Sequence, residues 1–328
     1  MSLNVSVMDT KRSETNTEYL LERHDVQNAH LIIGPYSKKP LVKVAEFAKK
    51  NKKILVSPTN TSNTVTENNP WYIQTNPSLQ SHCEAIIKHA LDNHAPEEIV
   101  LVVRSKAAET RRLQYFQDAS KVHQMNAYAP KLKEFIIDAA SAGSFQEIDL
   151  TPYMENKQKV VFIVPSYSNE NFISSFLRQV AVAKGYVPGI EVVVYGMPKW
   201  MSYERISYDY FENLNVHVSN ANYADKDQFP VKEFRRRFYE KYATLPQDKA
   251  YVGYDMVKYF GEQLKKNGMN LKEKIEAETF DGISTKYDFQ KNVSSTSVSN
   301  ENLSNVNFME NKHVNILKFK NYKFQVVN

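Results

Sequence analysis

Two short apolar runs in this chain end in groups able to hold a small polar molecule. Leu31–Ile33 runs into Gly34-Pro35-Tyr36-Ser37, and Ile54–Val56, about 23 residues later, runs into Ser57-Pro58-Thr59-Asn60-Thr61-Ser62. Short hydroxyls, a carboxamide and the unpaired N–H groups at a helix start all suit a carboxylate or another polar ligand group. Ser37, Ser57, Asn60, Thr61 and Ser62 are the candidates, with Tyr36 beside them. The plainer reading is that Pro35 and Pro58 stop strands while Ser and Thr cap helices, and spacing alone leaves both open. A second set has the same form: Arg104-Ser105 after Ile99–Val103, Ser166-Tyr167-Ser168 after Val160–Val164, and Met197-Pro198-Lys199-Trp200 after Val192–Tyr195. Tyr167 and Trp200 could stack on a ligand, and Arg104 and Lys199 offer positive charge. Among 20 tyrosines, ordinary surface aromatics are the competing reading.

The elements that would position these groups alternate. Strand-like runs at Asn4–Met8, Leu31–Ile33 and Ile54–Val56 are separated by helical patterns at Glu14–Asn28 and Leu41–Lys50. The pattern then repeats: helices at Ser78–Asn93, Ala108–His123 and Asn169–Lys184 interleave with strands at Ile99–Val103, Phe135–Ile137, Lys159–Pro165 and Ile190–Gly196. Such βαβ alternation gives parallel sheets covered on both faces, and two such units predict two lobes. Ligands of open parallel sheets sit at the carboxyl ends of the strands, where the candidate clusters fall. Two helical patterns follow at Val231–Ala243 and Lys249–Asn267, then a turn-rich crossing at Phe280–Phe289. The polar stretch Asn292–Asn307 reads as an exposed insertion. Val314–Val327 alternates on both sides of Lys320–Tyr322 and reads as a terminal hairpin.

Other chemistries find little support. The chain contains no G-x-S-x-G, G-x-x-x-x-G-K-[ST], G-x-G-x-x-G or H-E-x-x-H, so no enzyme and no cofactor is expected. His82 and His89 share a helix face about two turns apart, too far to chelate one metal unaided. Cys83 falls on a predicted helix, where packing is expected rather than nucleophilic work. Arg235-Arg236-Arg237 points around a helix with Glu233 and Glu240 in reach, which predicts a solvated face and no nucleic-acid partner.

Composition sets the outer bounds. At 328 residues, 42% hydrophobic and 24% charged, the chain has room for two globular domains. No apolar run approaches the ~18 residues of a membrane helix. A net charge of +5 predicts mild basicity, and the single cysteine excludes an internal disulfide. Met1-Ser2-Leu3 reads as a cloning remnant, with a leader and any upstream domain expected to have been removed.

The stretch HLIIGPYSKKPLVKVAEFAKKNKKILVSPTNTSNTVTENNPWYIQTNPS resembles the first lobe of type I periplasmic binding proteins of the branched-chain amino-acid receptor group. IVLVVRSKAAETRRLQYFQDASK is similar to the start of the second lobe, FRRRFYEKYATLPQDKAYVGYDMVKYF to the returning helices, and FDGISTKYDFQ to the final crossing. The resemblance covers nearly the whole chain. It implies two doubly wound parallel-sheet lobes with a hinge and an interlobe cleft, the first lobe lacking its first strand. Lobe one would be residues 4–75 plus 222–280, and lobe two residues 76–221 plus 281–328. The family's carboxylate contacts fall on Ser37, Asn60 and Thr61, with Tyr167 opposite. The family also carries an acid after the strand that ends here at Gly196. This chain has Lys199, with Glu204 the nearest acid, so an anion fits better than an ammonium unless Lys199 simply reaches solvent. The missing strand would leave a gap beside Leu31–Ile33, either filled by another segment or molecule or leaving the lobe looser there.

The resemblance thus implies a non-enzymatic periplasmic or extracellular protein that binds a small polar solute, an amino acid or another small carboxylate, for transport or sensing. Its partner would be a membrane transporter permease. The alternative is an envelope interaction module with a vestigial cleft, cut from a larger envelope protein and binding an envelope protein.

Overall fold

The structure, a computed structural model, describes residues 3–58, 63–138, 148–293 and 306–327. The chain divides into two compact units, Met1–Ser78 with Asn222–His313 and Leu79–Ala221 with Val314–Asn328. Both are α/β with parallel strands, as the alternation of elements requires.

In chain order, lobe one begins with β1 (Leu31–Ile33), β2 (Ile54–Ser57) and β3 (Tyr72–Gln74), all parallel. Lobe two follows with β4 (Ile99–Arg104), β5 (Lys133–Ile137), β6 (Lys159–Ile163), β7 (Glu191–Gly196) and β8 (Val216–Asn220). The chain returns to lobe one for β9 (Phe280–Asp281), β10 (Lys286–Tyr287), β11 (Phe289–Val293) and β12 (Val306–Asn311), and ends in lobe two with β13 (Asn315–Lys320) and β14 (Lys323–Val326).

The lobe-one sheet runs β1-β2-β3-β12-β11. Its residues alternate between two cores, as a two-residue period demands. Ile54, Val56, Ile73 and Met309 pack with Met256, Tyr259 and Phe260 of the Asp248–Asn267 helix. Leu55, Tyr72 and Phe308 pack on the other face with Leu41, Val44, Ala45 and Ala48 of the Lys38–Lys50 helix. Residues 281–313, expected in lobe two, therefore belong largely to lobe one: β12 lies parallel to β3, with Met309 opposite Ile73. Pairing between strands more than 200 residues apart left no local trace in the sequence. Residues 294–305 of the expected insertion lie outside the described residues.

The strand expected at Asn4–Met8 does not form. Val5 and Val7 are 72% and 93% exposed, with no facing layer to bury their alternation. Among the described residues β1 has β2 as its one strand partner, so its outer edge is open. The helix expected over Glu14–Asn28 is two helices, Glu14–Leu21 and His24–Gln27. Arg23, extended at φ −66° and ψ 141°, separates them.

The lobe-two sheet runs β14-β13-β8-β7-β6-β4-β5. β4, β6 and β7 are buried almost end to end, the continuous apolar pattern of a sheet covered on both faces. β5 lies on one side of β4 and β6 on the other, so the strand order reverses there. The terminal hairpin forms as expected, with Asn321 and Tyr322 at φ 54° and 58° supplying its tight turn. Lobe one is closed by Asp255, fully buried, whose carboxylate accepts the backbone N–H groups of Ile283, Ser284 and Thr285 and the Ser284 hydroxyl, at 2.8–3.0 Å. No described helix is long and apolar enough to cross a membrane.

Candidate functional site

The register Ile33 opposite Val56 and Ser57 opposite Gln74 brings the ends of β1, β2 and β3 to one carboxyl edge of lobe one. After β1, Gly34 takes φ +84°, a conformation that favours glycine. It turns the chain so that Ser37 stands at the start of the Lys38–Lys50 helix. Ser37 is half-buried, its carbonyl accepts the Leu41 N–H at 3.0 Å, and its hydroxyl makes no capping bond. Tyr36 is 40% exposed, and burial of the rest raises its phenol pKa. The Lys249 ammonium lies 5.5 Å from the centre of the Tyr36 ring. Sequence reasoning missed Lys249, because it arrives on a helix more than 200 residues further along. Ser57 is buried, and its carbonyl accepts both the N–H and the hydroxyl of Thr75 at 2.9 and 3.0 Å. Asn60, Thr61 and Ser62 lie outside the described residues.

Helix N-terminus, serine hydroxyl and ammonium all favour negative charge. Pro40 in the first turn removes one N–H donor, leaving Lys38 and Lys39 as the other cations of this edge.

In lobe two the register Leu101–Ile163–Tyr195 likewise gathers the ends of β4, β6 and β7 at one edge. Two of the expected ligand residues are committed elsewhere. Arg104 is 8% exposed, ion-paired with the equally buried Glu109, and lies 5.2 Å over the Phe172 ring. A guanidinium at a strand end needs such a carboxylate once buried. Trp200 is fully buried and donates its indole N–H to the Ser166 carbonyl at 3.1 Å. It lies so close over Gly196 that an added Cβ there would fall 2.4 Å from the ring. Both residues build the edge rather than face outward. Tyr167, 42% exposed, and Lys199 remain accessible. The Tyr203 hydroxyl fixes the Tyr167 backbone by donating to its carbonyl at 3.1 Å.

His82 and His89, singled out in the sequence, have structural partners. His82 Nδ1 is 3.0 Å from the Ser219 hydroxyl. His89 Nδ1 and His94 Nε2 lie 2.8 and 3.4 Å from the Tyr195 phenol oxygen, and His217 stacks on the Tyr195 ring at 4.9 Å between centres. Burial holds His217 down to about 3 and His94 down to about 4, Lys159 adding to the effect at His94. Among the described residues no three of His, Cys, Asp and Glu gather closely enough to hold a metal. Cys83 is buried, which pushes its thiol up to about 12. Arg236 pairs with Glu233 and Glu240, and Arg237 with Glu233, closing the expected helix-surface network. These two guanidiniums hold the Glu233 carboxyl down to about 2.

The model of the receptor family ligand binding region matches residues 1–309. Solved structures with a similar fold include a branched-chain amino acid ABC transporter periplasmic ligand-binding protein from Burkholderia xenovorans, 11% identical, covering 98% of this chain and 82% of that one at a TM-score of 0.62. Another is an ABC transporter solute-binding protein from Rhodopseudomonas palustris in complex with benzoate, 14% identical, with coverage of 98% and 83% and a TM-score of 0.51. A third is Haemophilus influenzae LpoA, 10% identical, with a TM-score of 0.61; this chain is covered over 98% and spans 52% of LpoA. At these identities the likeness is one of fold. No curated protein sequence matches.

Proposed function

We propose a function from the premise that this chain belongs to the receptor family of ligand-binding regions: it is an extracytoplasmic, non-enzymatic protein that binds a small carboxylate-bearing solute. The observation that carries this reading is the lobe-one edge, where the uncommitted Ser37 hydroxyl stands at a helix N-terminus and Lys249 lies over Tyr36. That edge offers donors and positive charge, which a carboxylate accepts. A benzoate complex of similar fold is compatible with a carboxylate that brings no ammonium. Amino acids remain the other class to test, since a protein of similar fold is a branched-chain amino acid ABC transporter periplasmic ligand-binding protein. The solute is passed to a membrane permease or read as a signal.

The test is a thermal-shift screen of small carboxylates, amino acids and sugars. A true ligand at about 100 times its Kd stabilises the fold by about 2.7 kcal/mol. For the hit, Ser37→Ala removes one hydrogen bond to a charged group and weakens binding by roughly tenfold or more. Tyr167→Ala probes the lobe-two edge separately in the same titration. A hit whose affinity ignores Ser37→Ala and Lys249→Ala refutes the lobe-one assignment. A screen in which nothing stabilises the protein leaves the second reading, an envelope interaction module, with which the LpoA-like fold is compatible.

A further inference from the structure

The chain's positive charge is concentrated on one helix. Between Lys38 and Lys53 there are seven lysines and one glutamate, while the rest of the chain holds 35 basic and 36 acidic residues. The net charge of +5 therefore comes from this single stretch. The helix buries Pro40, Leu41, Val44, Ala45 and Ala48 along one stripe. At 100° per residue Lys39, Lys43 and Lys50 project from the opposite side and Lys38 and Lys49 from one flank, and Lys52 follows in the turn beyond the helix end.

Some of this charge is neutralised. Lys43 pairs with Glu18 at 2.9 Å, with Glu46 and Glu14 also near it. Lys49 donates to the Glu67 carbonyl and Lys53 to the Ala29 carbonyl, which leaves both charges uncompensated. Lys38, Lys39, Lys50 and Lys52 are exposed, and none has an ion-pair partner among the described residues. Five exposed ammonium groups thus lie along about 20 Å of helix and the turn after it; Glu46 is the helix's own single acid, and Glu18 and Glu14 approach it at Lys43.

We propose that this face docks lobe one onto an anionic lipid bilayer surface. The choice of partner follows from residue type. The stretch is all lysine, although the chain uses arginine elsewhere, and guanidinium forks are the residue of choice for fixed phosphate geometry. It also lacks exposed aromatics between its lysines; Phe47 is partly buried. Single-stranded nucleic acid is held by stacking on such aromatics. Compact, mobile ammonium groups suit a fluid array of phosphates, where each lysine acts as a point charge. The helix's apolar stripe is used by the core, so the contact is electrostatic and the helix does not insert.

The experiment is vesicle co-sedimentation of the full chain, and it does not depend on whether a solute binds. Vesicles of phosphatidylcholine containing about 30% phosphatidylglycerol are compared with pure phosphatidylcholine at about 50 and about 200 mM salt. The expected result is binding only with phosphatidylglycerol, weakened at the higher salt. Each lysine removed should cost about fivefold in partitioning at low salt. Lys49→Gln/Lys50→Gln/Lys52→Gln should therefore fall by about two orders of magnitude, with the circular dichroism and melting temperature of the parent. A control, Lys265→Gln/Lys266→Gln, neutralises two lysines at the end of the Asp248–Asn267 helix, also in lobe one, and should bind as the parent does. No phosphatidylglycerol dependence overturns the proposal, and so does equal loss in the control. Tighter retention on a single-stranded oligonucleotide than on the vesicles would overturn it in favour of a nucleic-acid partner.

Discussion

Lobe two should lose stability as the pH falls below neutrality, and three imidazoles around one phenol set the size of the loss. His217 is 7% exposed, stacks on Tyr195, and places Nδ1 2.8 Å from the Asn215 carbonyl. His89 and His94 approach the Tyr195 hydroxyl from the Leu79–Asn93 helix and the turn after it. Burial disfavours the charged form of all three, and Lys318 adds repulsion at His94 and His217. In the unfolded chain an imidazole takes up its proton near pH 6.5. The folded pKa values lie below that, so the stabilisation is present above the unfolded pKa and is lost as the pH falls through it. With a folded value of about 3 for His217, linkage gives a loss of roughly 2 kcal/mol on reaching pH 5; His94, held down to about 4 but only half-buried, adds less because solvent screens its charge. Relaxation and shared repulsion within the cluster make about 2–4 kcal/mol a fair total, a fall of several degrees in melting temperature. The probe is Trp200 emission in a Trp71→Phe background, since Trp200 is buried in lobe two. Urea or thermal unfolding at about pH 7.5 and about pH 5 is compared for this parent and for His217→Gln, which keeps an amide donor for Asn215 and cannot titrate. The variant should lose about 2 kcal/mol less between the two pH values. A parent whose stability is flat over that range, or a variant with the parent's slope, would refute the reasoning.

Three further outcomes can be checked by equilibrium unfolding or labelling. Gly196→Ala forces the Trp200 ring off its seat and should cost lobe two about 1–3 kcal/mol, with a shift in Trp200 emission. Glu109→Gln strands the buried Arg104 guanidinium and should destabilise by about 3 kcal/mol, whereas the double change Glu109→Gln/Arg104→Met should recover much of it; an additive double variant would show that the pair is not coupled. The Cys83 thiol, buried and pushed up to about 12, should resist thiol reagents in the folded protein and react at the rate at which lobe two opens; prompt labelling in buffer would contradict its placement.

What could be read from the sequence was whatever a local period encodes. The alternation of short apolar runs with amphipathic helices settled two α/β lobes, and the turn at Lys320–Tyr322 settled the last hairpin. The spacing of Glu233, Arg236, Arg237 and Glu240 settled their ion pairs, because neighbours three and four apart on a helix must meet. Strand ends showed which residues share the carboxyl edge of each sheet, but not which side chains there stay accessible. Arg104 and Trp200 looked like ligand residues until Glu109 and Gly196 were seen to take them into the core. The tertiary structure alone placed β12 beside β3, brought Lys249 to Tyr36, and left Val5 and Val7 without a layer to cover them. A residue's period is fixed by its neighbours in the chain. Its burial, its charge partner and its sheet neighbours are fixed by segments tens to hundreds of positions away, and these meet only when the chain has folded.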